Sequence, residues 1–279
     1  MAKTWWALKT MDPSAAVYTH GHHPSVLASH RNRTIANSAA YAESYFVPGA
    51  RVLDIGSGPG TITAEIASRI APGELVAVEI NATAARLTAA ELAQRQVTNA
   101  RVVVGDVHNL GFANGAFDVV HAHQVLQHVA DPVTALREMG RVARAGGVVA
   151  ARDSDYGRFD WYPRLPELDE WVRLYQEAAR VNRGEPDAGR YLERWAREAG
   201  FARIEGSASA WEYTSAESRK WWGEMWAARI LESDLARQLL AQGRATEAEL
   251  AQISAAWKRW ADDPAAWFVI QHNEILITA

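Results

Sequence analysis

The stretch Val52–Gly60, VLDIGSGPG, decides the fold. Val52, Leu53 and Ile55 make a short apolar run. Glycines then alternate at 56, 58 and 60, and a carboxylate, Asp54, stands two residues before the first of them. A buried strand that ends in a glycine-rich turn and opens a helix is a nucleotide-holding device. The glycines let the backbone turn sharply and approach the ligand, and the helix start offers unpaired N–H groups. The spacing here is G-x-G-x-G, which departs from the G-x-G-x-x-G of dinucleotide-binding turns.

Working outward, apolar runs of similar length recur at 51–56, 75–80, 101–106, 117–123 and 148–153, each rich in valine. Runs of this kind suit strands buried on both faces. Helical patterns lie between them. At 61–70, Ile62, Ile66 and Ile70 share one stripe, and 83–94 is rich in alanine and leucine. Asp131-Pro132 reads as an N-cap with proline at the first helical position, opening a helix that runs to about Arg144 and is stopped by Gly146. This alternation predicts an α/β fold: a Rossmann-like, seven-stranded, mostly parallel sheet with helices on both faces. Farther on, 166–182 and 187–199 read as helices, 204–213 as a strand, 214–264 as helical and 267–278 as a final strand. The expected organisation is an N-terminal helical lid (1–50), a ligand-binding core (51–155) and a C-terminal part (156–279). That last part completes the sheet and carries helical substrate-cap insertions at about 155–186 and 214–264.

Three carboxylates end three successive predicted strands: Asp54, Glu79 in LVAVEI, and Asp106 in VVVGD. Glu79 is placed to accept both hydroxyls of a ribose, and Asp106 to accept from an adenine amino group. Asp54 then chooses between ligands. A pyrophosphate at a helix N-terminus wants N–H donors and no anion beside it. S-adenosyl-L-methionine brings an ammonium, a sulfonium and no phosphate, so a carboxylate at the turn favours its cationic groups.

The successive segments VLDIGSGPGTITAEIA, AVEI, GDVHNLGFANGAFDVVHAHQVLQHVADP and RAGGVVAARD resemble the motifs of class I S-adenosylmethionine-dependent methyltransferases. The nearest pattern is the small-molecule branch of the ubiquinone/menaquinone type. The resemblance spans about residues 18–155 and fades in the C-terminal half. It implies cofactor contacts at Asp54, Gly56, Ser57, Gly58, Gly60, Glu79, Ile80, Asp106, Val107, His123 and Gln124. It also implies a transfer site lined by QVLQH, Gln124–His128, and a segment before the first strand that folds over the cofactor.

If the acceptor must lose a proton, His128 is the first candidate base, because histidine titrates near neutral pH. Tyr18 and His22 (or His23), on a short loop with His20, are candidates for touching cofactor or substrate from the lid. Asp153 and Asp155 follow the fifth strand at the crevice edge. His121 and His123 share a strand face, and only His123, nearer the strand end, is expected to reach the crevice. The histidine-rich loop lacks the spacing and acidic company of a metal site, so no metal is expected.

The chain has 279 residues, a net charge of −4 and no cysteine. Cysteine-ligated metals, disulfides and thiol nucleophiles are therefore excluded. No basic field attracts nucleic acid or anionic lipid, and no apolar run reaches membrane-spanning length. A cytoplasmic protein without nucleic-acid or membrane partners is expected. The oligomeric state stays open, a homodimer being one option. Twelve tryptophans are present, ten of them after residue 160. Any one of them reads as core, but their density suggests an apolar cap over a substrate. The leading reading is methyl transfer to the O, N or C of a small, largely apolar or aromatic molecule. The alternatives are a methyltransferase fold that catalyses cyclisation or rearrangement, a non-catalytic binding subunit, and an NAD-dependent oxidoreductase, the last disfavoured by Asp54 and the glycine spacing.

Overall fold

The structure, a computed structural model, describes residues 29–279. Tyr18, His20, His22 and His23 lie outside the described residues. Among the described residues eight strands form one sheet: β1 (Val52–Ile55), β2 (Leu75–Glu79), β3 (Ala100–Val104), β4 (Phe117–His123), β5 (Ala143–Ser154), β6 (Asp160–Tyr162), β7 (Ile204–Tyr213) and β8 (Trp267–Thr278). The order is β3-β2-β1-β4-β5-β8-β6, with β7 along the other side of β8. The first five strands are parallel, and β8 is antiparallel to β5, β6 and β7. β1 and β2 are buried along their whole length, as their unbroken apolar runs require.

The strand order reverses between β1 and β4, and in open α/β sheets the ligand crevice lies at that switch point, beyond the carboxyl ends of the strands. The register sharpens this. Ile55 pairs with Val78 on one side and Ala122 on the other. The next residues, Gly56, Glu79 and His123, therefore stand in one row at the mouth of the crevice.

Helix α1 (Thr61–Ile70) starts at Gly60, and α2 (Ala82–Gln94) is capped by Asn81. Helix α3 (Pro132–Val142) is capped by Asp131, whose side chain accepts from the Thr134 N–H, with Pro132 in the first turn. It ends two residues earlier than expected. Ala143 is already extended and pairs with Phe117, so sheet formation, not Gly146, terminates the helix.

The C-terminal half adds α4 (Pro166–Val181), α5 (Leu192–Glu198), α6 (Ala216–Glu232), α7 (Asp234–Ala241) and α8 (Glu247–Asp262). Two features differ from expectation. The sheet has eight strands, because the three-residue β6 pairs with β8 and is too short to leave a periodic signal. The helix expected from Asp187 begins instead as a tighter 3₁₀ turn over Ala188–Tyr191. Helices α4, α6, α7 and α8 enclose an aromatic core with Phe268 at its centre. Rings of Trp161, Trp171, Trp222, Trp257 and Trp260 all lie within 6.1 Å of the Phe268 ring. Phe268→Ala should lower the unfolding free energy in urea by about 3–5 kcal/mol, the usual result of emptying a buried aromatic site. A loss below about 1 kcal/mol would show that the aromatic layer repacks.

Candidate active site

A cavity of about 460 Å³ opens at the carboxyl ends of β1, β2, β3 and β4. The glycine turn forms its floor. Gly56 has φ +68, and a Cβ there would stand 2.5 Å from Cγ2 of Val125, so the loop after β1 is pressed against the loop after β4. The Gly58 N–H donates to Oε1 of Glu79 in a short bond, and the Ser57 hydroxyl lies 3.4 Å from the same oxygen. Burial pushes Glu79 up to about 7, with the Asp54 charge adding and the Gly58 N–H opposing. Ile80, Asp106 and Val107 also line the cavity; Asp106 is exposed at the rim and accepts from the His108 backbone N–H at 2.9 Å.

Three expectations are corrected here. Gly60 does not line the cavity. It has φ +89, and a Cβ there would meet Thr88 Cα at 3.1 Å, so this glycine serves the close approach of α1 to α2. Asp54 is buried and already has a partner at each oxygen: Oδ2 accepts from the Thr63 hydroxyl at 2.6 Å, and Oδ1 faces Nδ1 of His121 at 2.8 Å. Its charge reaches the crevice behind these groups and not as a bare carboxylate. His121 therefore lines the cavity along with His123, because the bond to Asp54 holds its ring toward the crevice. Neither ring nitrogen of His123 has a hydrogen-bond partner among the described residues, and burial keeps this ring neutral.

A second cavity of about 330 Å³ lies beyond the first. Its aromatic walls include Tyr156, Phe159, Trp211, Tyr213, Trp222 and Trp226. Much of the tryptophan content is nonetheless core: Trp171, Trp257 and Trp260 are fully buried and line neither cavity. The two cavities share four wall residues, His30, Arg33, Gln124 and His128. Gln124 sits at this junction with φ +54, a left-handed conformation that non-glycine residues seldom hold unless their surroundings impose it. Its side chain is fixed at both ends. Arg33 Nη2 donates to Oε1 at 2.7 Å, and Nε2 donates to Nε2 of His272 at 2.8 Å.

His128 stands at the junction as the QVLQH segment implied, but its chemistry differs from that of a base. Burial, and then the Arg33 charge, push it down to about 3. Gln127 Oε1 accepts from the Ser154 hydroxyl at 2.6 Å, which turns the Gln127 amide nitrogen toward His128 Nε2 at 3.0 Å. The ring lone pair is thereby used, and the proton sits on Nδ1. Nitrogen chemical shifts of His128 are expected to stay those of the neutral ring from about pH 8 to pH 5. A titration midpoint near the ordinary value of about 6.5 would restore it as a base. Asp153, inside β5, and Asp155, just after it, are likewise not at the crevice edge. Asp155 is buried and paired with Arg190, and Asp153 accepts from the Gln127 N–H at 3.1 Å inside the protein.

Arg33, His30, Trp211 and Arg229 were not singled out from the sequence. Arg33 follows the histidine-rich loop in SHRNRT, with nothing local to mark it, and its partner Gln124 is 91 residues away.

Residues 46–200 match the family model described as methyltransferase domain. The chain belongs to the methyltransferase-domain family. It is a methyltransferase, and its methyl donor is S-adenosyl-L-methionine. An uncharacterized methyltransferase of Schizosaccharomyces pombe is 32% identical over 270 residues, covering 93% of this chain and 95% of that protein. A demethylmenaquinone methyltransferase of Roseiflexus castenholzii is 34% identical over 152 residues, or 53% of this chain and 60% of that one. Among solved structures, a protein described as a putative sarcosine dimethylglycine methyltransferase from Galdieria sulphuraria shares the fold, with a TM-score of 0.55 over 91% of this chain and 84% of its own, at 13% identity. Among the described residues of this methyltransferase, no helix is long and apolar enough to cross a membrane.

Proposed function

We propose that the chain methylates an O, N or C atom of a small, largely aromatic molecule held in the second cavity, with the donor in the first. The observation that carries this is the junction: His30, Arg33, Gln124 and His128 wall both cavities, so groups seated in each meet there. The first cavity fits the donor. Glu79 can accept from the ribose hydroxyls, Asp106 can accept from the adenine amino group at the rim, and the glycine turn leaves room for the methionine portion. His123, buried with both ring nitrogens without partners among the described residues, faces the end where that portion would lie. Asp54 supplies the negative charge behind it.

When bound, the donor supplies a methyl carbon already activated by sulfonium. What remains for the protein is alignment, which can contribute roughly 7–11 kcal/mol. Gln124 fixes the junction, and the aromatic walls exclude water and orient a flat acceptor. We read residues 51–155 as the donor-binding part and the α4 and α6–α8 helices as the acceptor side. The net charge of −4 favours a small-molecule acceptor over a nucleic acid.

The test uses Trp221, a half-buried member of the second cavity wall. Phenols and heteroaromatics are screened by S-adenosylhomocysteine release and by the added methyl mass. For an acceptor so found, Trp221→Ala should raise KM about tenfold, the loss of an aromatic contact of about 1.4 kcal/mol. Affinity for S-adenosylhomocysteine should stay unchanged. Lost donor binding with an unchanged acceptor KM would reverse the assignment of the two cavities.

A further inference from the structure

We propose that Arg33 selects an acceptor carrying an acidic group and holds it as the anion, so that the nucleophile arrives ionised and no side chain need remove its proton. This rests on the reading of the second cavity as the acceptor site. The starting observation is where Arg33 stands: it belongs to the wall of both cavities. Its guanidinium stays charged at every working pH. The donor beside it also carries a positive charge. The guanidinium and the donor sulfonium carry the same sign of charge, so a neutral acceptor gains nothing from either. An anion between them is attracted to both.

Arg33 is held for this task. Nη2 donates to Gln124 Oε1, Gln124 donates to His272 Nε2, and the His272 Nδ1–H is directed at the Ile270 carbonyl at 3.1 Å. The chain runs in one direction, away from the guanidinium, and burial keeps His272 neutral so that it can accept. The guanidinium also lies 5.5 Å from the centre of the Trp211 ring. The ionisable groups around the cavity point the same way. Arg229 adds a second, buried cation, His128 is neutral, and burial raises Tyr156 to about 12 and Tyr213 above its ordinary value, so both hydroxyls stay protonated. His30 is at the junction, and Glu212, the carboxylate in this wall, is exposed. The Arg33 charge pulls His128, Tyr156 and Tyr213 toward lower values, the direction in which it would act on an acceptor hydroxyl. One more donor is waiting: Nε1 of Trp222, a wall residue only 5% exposed, has no hydrogen-bond partner among the described residues.

The balance is simple. The acidic proton of the acceptor leaves to solvent water as the anion is bound. In transfer, the lone pair of the anion forms the bond to the methyl carbon, and the electron pair of the carbon–sulfur bond goes to sulfur, which becomes a neutral thioether.

The test is spectroscopic and needs no turnover. Para-nitrophenol, whose anion absorbs in the visible, is titrated with pH in the presence of the protein saturated with S-adenosylhomocysteine; nitrobenzene serves as the uncharged control. The bound phenol should ionise at least about one pH unit below its value in water, a tenfold preference for the anion. Arg33→Gln should remove most of that shift, and Arg33→Lys should restore part of it. Arg33→Gln should also bind S-adenosylmethionine several-fold tighter relative to S-adenosylhomocysteine, which confirms that the variant is folded and that a cation was withdrawn from the sulfonium. An unshifted or raised value, or equal binding of phenol and nitrobenzene in wild type and variant, overturns the proposal while leaving the aromatic acceptor site standing. If neither probe binds and S-adenosylhomocysteine does, the acceptor site itself is misplaced and this inference falls with it.

Discussion

Gly56→Ala is expected to abolish donor binding and to weaken the fold. Two effects add at this position. The backbone is left-handed, φ +68, which costs a residue with a Cβ about 1–2 kcal/mol. The new Cβ would also stand 2.5 Å from Val125 Cγ2, and forced overlap of this kind costs about 1–3 kcal/mol more. The turn after β1 and the loop after β4 must then separate, opening the floor of the first cavity and moving Gln124 with its neighbour Val125. Calorimetry should show affinity for S-adenosylhomocysteine reduced about a hundredfold or more, and urea unfolding a loss of about 2–5 kcal/mol. Gly111→Ala is the control. Nothing lies within 4 Å of its Cβ position, so stability and affinity should both be kept. A fully binding Gly56→Ala protein would mean that the donor does not use this turn.

Glu79 carries the second large effect, and its pH dependence has a definite sign. The buried carboxylate is raised from 4.5 to about 7. Ribose hydroxyls donate best to the ionised form. Donor affinity should therefore rise with pH, about tenfold between pH 6 and pH 8, as the ionised fraction grows from about a tenth to nine-tenths. Glu79→Gln should flatten that dependence and weaken binding about 10- to 100-fold, as for a lost hydrogen bond to a charged group. Stability of the ligand-free protein runs the other way. Glu79 and Asp153 are both raised to about 7, so between their ordinary values and that point the folded chain binds protons that the unfolded chain has released. Stability should fall as pH rises through this window. Affinity that is flat with pH in the wild type would contradict the placement of the ribose on Glu79.

Much of the fold was legible because its core strands are unambiguous. The expected bounds of α1, β4, β7 and β8 coincide with those observed. The row of Gly56, Glu79 and His123 follows from the strand ends that those runs define. What stayed hidden depends on contacts between distant residues. The three-residue β6 is made by pairing with β8 and by nothing local. The division of 214–264 into three helices turns on Ser233 and Thr246; the capping box at Thr246 was readable, but the break after Glu232 carries neither glycine nor proline. His128 looked like a base because of its position alone. Its burial and its bond from Gln127, itself oriented by Ser154, arise only once β5 is packed behind it. Arg33 became visible through Gln124 in the loop after β4 and the Trp211 ring on β7.

The central claim is that the acid-lined crevice beside β1 receives a phosphate-free, sulfur-bearing nucleoside. Parallel calorimetric titrations with S-adenosylhomocysteine and NAD test it most directly. The first should bind at a single site per chain, with an affinity that Glu79→Gln weakens, and the second should give no heat of binding. Binding of NAD at that site, with no response to the sulfur nucleoside, would contradict it.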